Sequence, residues 1–195
     1  MFYYFMRALF RFVFAVFTRF EVISASNLPH EGPVLVVSNH MSNWDPLLLG
    51  CAMDRRISIL AKAELFKIPV LKTIIKHMDV VSIKRGQSDI VALRTTIGLL
   101  ASGKVVGIFP EGTRSPTGEM QTFKSGVAMI AYKAGCPIVP VGIVNSKKLL
   151  LGWVKPVKVI FGEAFIPEKP IGKANTAYLD NLSKLIEDKV RALIV

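Results

Sequence analysis

Short apolar runs rich in β-branched residues, alternating with helix-like segments, are the feature that most constrains this chain's fold. Val34–Ser38 (VLVVS) follows Gly32-Pro33 and is typical of a buried strand. Similar runs recur further along the chain, at 57–61, Val80–Ile83, 105–109, Ile138–Val144 and Val157–Phe161. Strands that alternate with helices indicate an α/β domain whose sheet is largely parallel or mixed.

Helical patterns fill the intervals between these runs. Asn43-Trp44-Asp45-Pro46 favours a helix start, because a proline fits near the first helical position. Apolar residues at helical spacing predict further helices, at 65–76 with a break at Pro69, at Asp89–Ala101, at 125–134 and at 180–194. We therefore predict an α/β fold of one domain, with a central mixed, largely parallel sheet flanked by helices.

The first twenty residues are strongly aromatic, with seven Phe and two Tyr, but carry Arg7, Arg11 and Arg19. A secretory signal would need positive charge before its apolar stretch, and residues 1–6 have none. A spanning helix would put Arg11 near the bilayer centre, at a cost of roughly 2.5–3.5 kcal/mol. At about 100° per residue, Arg7, Arg11 and Thr18 fall on one narrow stripe.

This stripe suits an amphipathic helix in the membrane interface, with arginines reaching lipid phosphates and aromatic rings entering the acyl region. We predict a membrane-anchoring helix at 1–20 ahead of a catalytic domain at 21–195. A spanning helix and an ordinary core helix are the alternatives.

Charge and hydropathy together narrow the class of partner. The chain has a net charge of +11 and is 51% hydrophobic. Nucleic-acid-binding proteins share the first property but rarely the second, so we expect no nucleic acid. A basic, apolar chain favours anionic membrane surfaces and anionic substrates. We expect a peripheral or monotopic protein on the cytoplasmic face of the cell membrane. Cys51 and Cys136 match no metal or redox spacing, and we interpret them as small core residues.

The first chemically rich segment, Asn39-His40-Met41-Ser42-Asn43-Trp44-Asp45, joins a predicted strand to a predicted helix. A histidine and an aspartate five positions apart can hydrogen-bond across a tight turn. Such an aspartate fixes the imidazole tautomer and leaves the other ring nitrogen free as a base. This is a protease-type pair without its serine, so the nucleophile would be a substrate hydroxyl. The alternative is a loop histidine followed by an aspartate that caps the helix.

The second segment, Phe109-Pro110-Glu111-Gly112-Thr113-Arg114-Ser115, leaves the predicted strand 105–109. Gly112 permits a turn or a close approach to a ligand. Arg114 can hold a phosphate through two parallel hydrogen bonds. Sites in α/β sheets gather beyond the strand ends, where both segments fall. The alternative is a polar turn with a surface salt bridge.

The two segments resemble conserved blocks of the glycerolipid acyltransferases. NHMSNWD is similar to their His-x4-Asp signature and FPEGTRS to their phosphate-proximal block, while the run from Val80 to Gly86 and IVPVG at 138–142 are similar to the middle and last blocks. The resemblance spans 34–144 and is nearest to the 1-acyl-sn-glycerol-3-phosphate (lysophosphatidic acid) acyltransferase type. The middle block departs from the pattern at Asp79, Ser82 and Lys84.

The resemblance implies roles at the matched positions. His40 would be the general base toward the acceptor hydroxyl, and Asp45 would orient it. The remaining matched residues would bind the acceptor: Arg85 and Arg114 its phosphate, Glu111 with Gly112 and Thr113 its glycerol portion, and Lys62 as a further cation near the phosphate. Lys84, where the sequence departs from the family pattern, would add a second cation beside Arg85 or face solvent. Neither a metal nor another cofactor is implied.

The predicted function is transfer of a fatty acyl group from acyl-carrier protein or coenzyme A thioester to lysophosphatidic acid, giving phosphatidic acid. Three alternatives stay open. The acceptor could be glycerol-3-phosphate, another lysophospholipid or a lyso-aminolipid. The chain could bind lipid without catalysis, although lipid binding needs neither His40 nor Asp45. It could also be a hydrolase, although it lacks a Gly-x-Ser-x-Gly elbow.

Overall fold

The computed structural model describes residues 2–62, 80–83, 89–147, 155–170 and 172–194. Its helices are α1 (Phe2–Phe17), α2 (Asp45–Ala52), α3 (Asp89–Ala101), α4 (Gly126–Ala134) and α5 (Thr176–Arg191). Its strands are β1 (Phe20–Ile23), β2 (Val34–Ser38), β3 (Ile57–Lys62), β4 (Val80–Ile83), β5 (Val105–Ile108), β6 (Ile138–Val144) and β7 (Val157–Phe161).

The strands form one sheet of seven in the order β1-β7-β6-β2-β5-β3-β4. The five strands from β6 to β4 pair in parallel, β7 pairs antiparallel with β6, and β1 pairs parallel with β7. The predicted α/β fold with a mixed, largely parallel sheet is therefore confirmed. Because β2, β5, β3 and β4 are parallel neighbours, their carboxyl ends lie side by side at one edge of the sheet.

Both faces of the sheet are covered at its centre, which explains why β2 and β6 are apolar without alternation, whereas β7 alternates buried and half-buried residues. On β2, Val34 and Val36 face a core that includes residues of α1 and α2, while Leu35 and Val37 face a core formed with α3, α4 and α5. All five residues of β2 are buried. Cys51 and Cys136 are free and buried, one in each core, as expected for small core residues.

Helix α1 lies against the protein with one face, on which Tyr3, Met6 and Phe14 are buried. The predicted arginine stripe lies toward the protein as well. Arg7 Nη1 donates a hydrogen bond of 2.6 Å to Met53 O, and Arg7 and Arg11 lie 3.3 and 3.7 Å from Asp54 Oδ1.

The expectation that this stripe reaches lipid phosphates is therefore wrong for Arg7, whose guanidinium takes its partners from the loop after α2. Thr18, the third member of the stripe, is buried and donates to Phe14 O.

The opposite face of α1 is apolar and exposed. Phe5, Phe12 and Phe17 are 62%, 67% and 60% exposed. In the described part of the chain, no helix is long and apolar enough to cross a membrane. Helix α1 thus combines an inner face that belongs to the core with an outer face that is unusually rich in aromatic rings.

Several element bounds differ from the predictions. Strand β1 was not predicted, because it directly continues the aromatic N-terminal segment. Helix α5 begins at Thr176, four residues before the predicted start, because Asn175 Oδ1 accepts a hydrogen bond of 2.8 Å from Tyr178 N and caps the helix. The predicted helix at 65–76 lies outside the described residues.

Candidate active site

His40 and Asp45 meet across the turn that joins β2 to α2. His40 Nδ1 lies 2.9 Å from Asp45 Oδ2, which also accepts hydrogen bonds of 2.6 and 2.7 Å from the backbone N–H groups of Met41 and Ser42. An oxygen that already accepts from two N–H groups serves as an acceptor for the imidazole too. With Asp45 Oδ2 as the acceptor, a neutral His40 ring would donate from its Nδ1–H and present the lone pair of Nε2.

The two members of this pair differ in their access to solvent. The Asp45 side chain is fully buried, and its Oδ1 has no hydrogen-bond partner among the described residues. The His40 side chain is 18% exposed. The buried Asp45 carboxylate can orient the imidazole of His40, and the partly exposed ring remains accessible to a substrate. This arrangement suits a general base.

The second motif meets the first at the same edge of the sheet. The ring of Phe109 stacks on the imidazole of His40, with centroids 4.4 Å apart and an interplanar angle of 26°. Ser115 N donates to His40 O at 2.9 Å. The residues on both sides of Glu111 to Arg114 are therefore fixed to His40.

Glu111 is buried, and protein donors occupy both of its carboxylate oxygens. Oε1 accepts from the backbone N–H of His40 at 2.7 Å, and Oε2 accepts from Gln121 N and Gln121 Nε2 at 3.1 and 3.2 Å. Burial raises the pKa of Glu111, while the hydrogen bonds from His40 and Gln121 act in the opposite direction. The contacts fit a residue that holds His40 in place better than the implied contact with glycerol.

Gly112 adopts a φ of +73°, in the left-handed region that favours glycine. Its N–H donates to Phe109 O at 3.0 Å, which closes the turn. Thr113 and Arg114 follow on the exposed part of the loop. The carbonyl of Thr113 accepts from Gln121 Nε2 at 3.2 Å, whereas the Arg114 guanidinium has no ion-pair partner in the described part of the chain. Arg114 is thus available to an anionic ligand.

The remaining predicted site residues fall on the neighbouring strands. Lys62 is the last residue of β3 and pairs with Ile83, the last residue of β4. The backbone of Lys62 therefore lies at the same edge of the sheet as the two motifs, next to β5. Lys84 and Arg85 lie outside the described residues.

Three residues without a predicted role support the site. Asn39 is buried and joins the end of β2 to β6, with its side chain donating to Ile143 O at 2.9 Å and accepting from Ile143 N at 2.7 Å. Gln121 bonds to Glu111, and the backbone N–H of Lys124 donates to Pro110 O at 3.1 Å. A polar residue directly after a buried strand was the available signal for Asn39. Nothing local indicated Gln121 or Lys124, since both contacts are tertiary.

Comparison with known proteins decides the family. A sequence model of the acyltransferase family matches residues 19–144, which include both motifs. The chain belongs to the acyltransferase family. The family predicted from the two motifs is therefore confirmed, and with it the class of enzyme, an O-acyltransferase.

Two curated relatives and one solved structure illustrate the similarity. The 1-acyl-sn-glycerol-3-phosphate acyltransferase of Bacillus subtilis is 31% identical over 89% of this chain and 90% of its own length. The Borreliella burgdorferi protein of the same name is 29% identical over 87% of this chain and 69% of its own. The crystal structure of the 1-acyl-sn-glycerophosphate (LPA) acyltransferase PlsC from Thermotoga maritima matches with a TM-score of 0.77 and 28% identity, covering 98% of this chain and 78% of that one.

The match covers different shares of different relatives. In the proteins compared, the aligned region makes up between 38% and 90% of the relative's own length. Among the described residues of this chain, no group of three His, Cys, Asp or Glu side chains is placed to hold a metal ion.

Proposed function

We propose that this acyltransferase moves a fatty acyl group from a thioester, carried by acyl-carrier protein or coenzyme A, to the free hydroxyl of 1-acyl-sn-glycerol-3-phosphate. The observation that carries the proposal is the contact between His40 Nδ1 and buried Asp45 Oδ2, on a ring that remains partly exposed. In the described part of the chain, no serine hydroxyl or cysteine thiol hydrogen-bonds to this ring. The alcohol that attacks the thioester is therefore assigned to the substrate.

The chemistry follows from the state of the ring. His40 Nε2 takes the proton of the acceptor hydroxyl as its oxygen attacks the thioester carbonyl carbon. The tetrahedral intermediate then collapses, the carbon–sulfur bond breaks, and the imidazolium returns the proton to the departing thiolate. Asp45 stabilises the imidazolium between these steps. General-base assistance of this kind typically contributes about 10²–10⁴-fold in rate, and positioning of the two substrates supplies further acceleration.

The acceptor's phosphate is assigned to the cations around the loop 111–114. Arg114 is exposed and lacks an ion-pair partner among the described residues, so its guanidinium can bind a phosphate bidentately. Arg85 and Lys62 join this assignment through the resemblance of the sequence to the family, and Lys84 joins it as the cation next to Arg85 in the sequence. The names of the relatives support 1-acyl-sn-glycerol-3-phosphate as the acceptor. We assign no metal or other cofactor to the reaction.

The place of reaction is assigned to the membrane surface, where the acceptor and the acyl chains partition. The exposed aromatic face of α1, with Phe5, Phe12 and Phe17, would insert among the acyl chains, and the charge of +11 would attract anionic headgroups. Trp44, 41% exposed beside the catalytic turn, adds a further apolar surface, and its ring packs edge-on against buried Phe14 of α1. We place the enzyme peripherally on the cytoplasmic face of the cell membrane.

An acceptor panel tests the proposal. Purified enzyme is incubated with a thioester of acyl-carrier protein or coenzyme A whose acyl group is labelled. Each reaction contains one acceptor, which is 1-acyl-sn-glycerol-3-phosphate, glycerol-3-phosphate, a lysophospholipid diester or a lyso-aminolipid. We expect the highest kcat/KM with 1-acyl-sn-glycerol-3-phosphate, with phosphatidic acid as the product. Free fatty acid as the main product, or preferred acylation of an acceptor without a phosphate monoester, would contradict the proposal.

A further inference from the structure

Lys124 lies across the backbone of Gly112, in the loop that carries Arg114. A methyl group in place of the Gly112 hydrogen would lie 2.9 Å from Lys124 Cε and 3.0 Å from Lys124 Nζ. The left-handed φ favours glycine here, and the far end of the Lys124 side chain occupies the space that a Cβ would fill. The close approach that Gly112 permits is therefore made by the side chain of Lys124.

The position of Lys124 is fixed by bonds on both sides. Its N–H donates to Pro110 O, and its carbonyl accepts from Val127 N at 3.2 Å, where α4 begins. The preceding residue, Phe123, is buried and donates from its N–H to Glu187 Oε2 at 2.9 Å. The backbone that carries the ammonium is thus attached to the loop, to α4 and to α5, so the side chain is presented from a rigid base.

The charge of Lys124 has no counterpart in the described part of the chain. The residue is exposed and makes no ion pair there, and the same is true of Arg114. Glu111, the acidic residue of the loop, is turned away, because its two oxygens accept from His40 and Gln121. The Lys124 ammonium beside Gly112 and the Arg114 guanidinium two residues further along the loop have no carboxylate partner among the described residues, and their charges together favour an anion.

We propose that Lys124 is a second phosphate-binding residue for the acceptor and acts together with Arg114 to select a phosphate monoester. The inference rests on the proposed function of the same site. A monoester carries up to two negative charges and can satisfy both cations, whereas a diester carries one. Lys124 acts on the bound acceptor alone, and His40 with Asp45 retains the proton transfer.

The test compares Lys124→Met, which keeps an unbranched side chain over Gly112 without the charge, with Lys124→Arg, which keeps the charge. Lys133→Met is the matched control, because Lys133 is an exposed lysine on α4. Substrates are presented in detergent micelles, so that attachment to vesicles does not influence the rates. KM is measured separately for 1-acyl-sn-glycerol-3-phosphate and for the acyl donor.

We expect Lys124→Met to raise the acceptor KM about tenfold, the effect of roughly one lost charge-assisted hydrogen bond. The kcat and the donor KM should stay within about twofold, and Lys124→Arg should restore most of the acceptor affinity. Inhibition by inorganic phosphate, competitive with the acceptor, should weaken in Lys124→Met but not in Lys133→Met.

An unchanged acceptor KM in Lys124→Met would overturn the inference. So would a fall in kcat alone that Lys124→Arg does not reverse, because that pattern indicates a packing role. A wild-type enzyme that does not acylate 1-acyl-sn-glycerol-3-phosphate at all would instead refute the proposed function, so the two failures are distinguishable.

Discussion

The two segments that form the site lie at the same edge of the sheet but are built in opposite ways. In the turn from His40 to Asp45, the carboxylate is fully buried and accepts three hydrogen bonds on one oxygen. In the loop from Gly112 to Arg114, all three residues are exposed, and the guanidinium has no ion-pair partner among the described residues. Asp45 Oδ2 thus has its partners within the protein, whereas the charge of Arg114 has no carboxylate partner among the described residues.

This difference matches two different tasks. Proton transfer depends on placing one nitrogen accurately, and internal hydrogen bonds fix that placement. Recognition of a charged group depends on cations that no protein carboxylate has neutralised. We propose the first task for Glu111, although it lies in the second motif, because its carboxylate accepts a hydrogen bond from the backbone N–H of His40. Substitutions in the two segments should therefore separate kcat from the acceptor KM.

The largest effect is expected at His40. Replacement by alanine removes the base while leaving the backbone contacts from His40 N to Glu111 and from Ser115 N to His40 O intact. We expect kcat to fall by about 10²–10⁴-fold with little change in the acceptor KM. Steady-state kinetics in micelles measure the loss, and circular dichroism checks the fold.

His30→Ala is the matched control, because His30 is exposed and precedes β2, whereas His40 follows that strand at its other end. It should retain the wild-type rate. Wild-type turnover by His40→Ala would mean that another group accepts the proton, and the comparison between a catalytic turn and a binding loop would fail.

A smaller effect is expected for substitution of Arg114, and it should change the acceptor KM instead of kcat. Arg114→Gln removes a charge that makes no ion pair in the described part of the chain, so the fold loses little. We expect the KM for 1-acyl-sn-glycerol-3-phosphate to rise about ten- to a hundredfold, as for loss of a bidentate, charge-assisted contact. Arg114→Lys should recover only part of this affinity, since an ammonium cannot form the same fork.

The donor KM serves as the internal control for Arg114→Gln and should stay near the wild-type value. If kcat falls while the acceptor KM is unchanged, Arg114 acts in the chemical step and not in binding of the phosphate. That outcome would contradict the division of roles between the two segments.

The sequence was most informative where local pattern decides the structure. Strands β2, β4, β6 and β7 have the predicted bounds, because short runs rich in Val and Ile favour an extended backbone. The pairing of His40 with Asp45 was also predictable, because a turn between strand and helix brings residues at that spacing together.

Contacts between distant parts of the chain were not predicted. The inward direction of Arg7 depends on Met53 and Asp54, and the Glu111 carboxylate accepts a hydrogen bond from the backbone of His40, a residue in another motif. Lys124 was overlooked because only the folded loop brings its side chain across Gly112. Such contacts cannot be predicted from local sequence periodicity, because the partner residues come together only when the sheet has formed.

The smallest effect is expected for substitution of Glu111. Because Glu111 accepts a hydrogen bond from the backbone of His40, this substitution tests how the two segments are connected. In Glu111→Gln an amide group would meet either His40 N–H or the donors of Gln121, so one hydrogen bond is lost. We expect kcat to fall about tenfold through displacement of His40, with the acceptor KM within about twofold of wild type. A rise in the acceptor KM without loss of kcat would instead indicate that Glu111 contacts the glycerol portion of the acceptor.

Stability measured against pH gives an independent check on Glu111. Because burial raises the pKa of Glu111 above its value in the unfolded chain, the unfolded state releases its proton first as the pH rises. Between the unfolded and folded pKa values, wild-type stability should therefore fall with rising pH relative to Glu111→Gln, which cannot ionise. Urea unfolding of both proteins across this range measures the difference, in which the titrations of the other carboxylates cancel. A difference independent of pH would mean that the hydrogen bonds from His40 and Gln121 fully offset the cost of burying the charge.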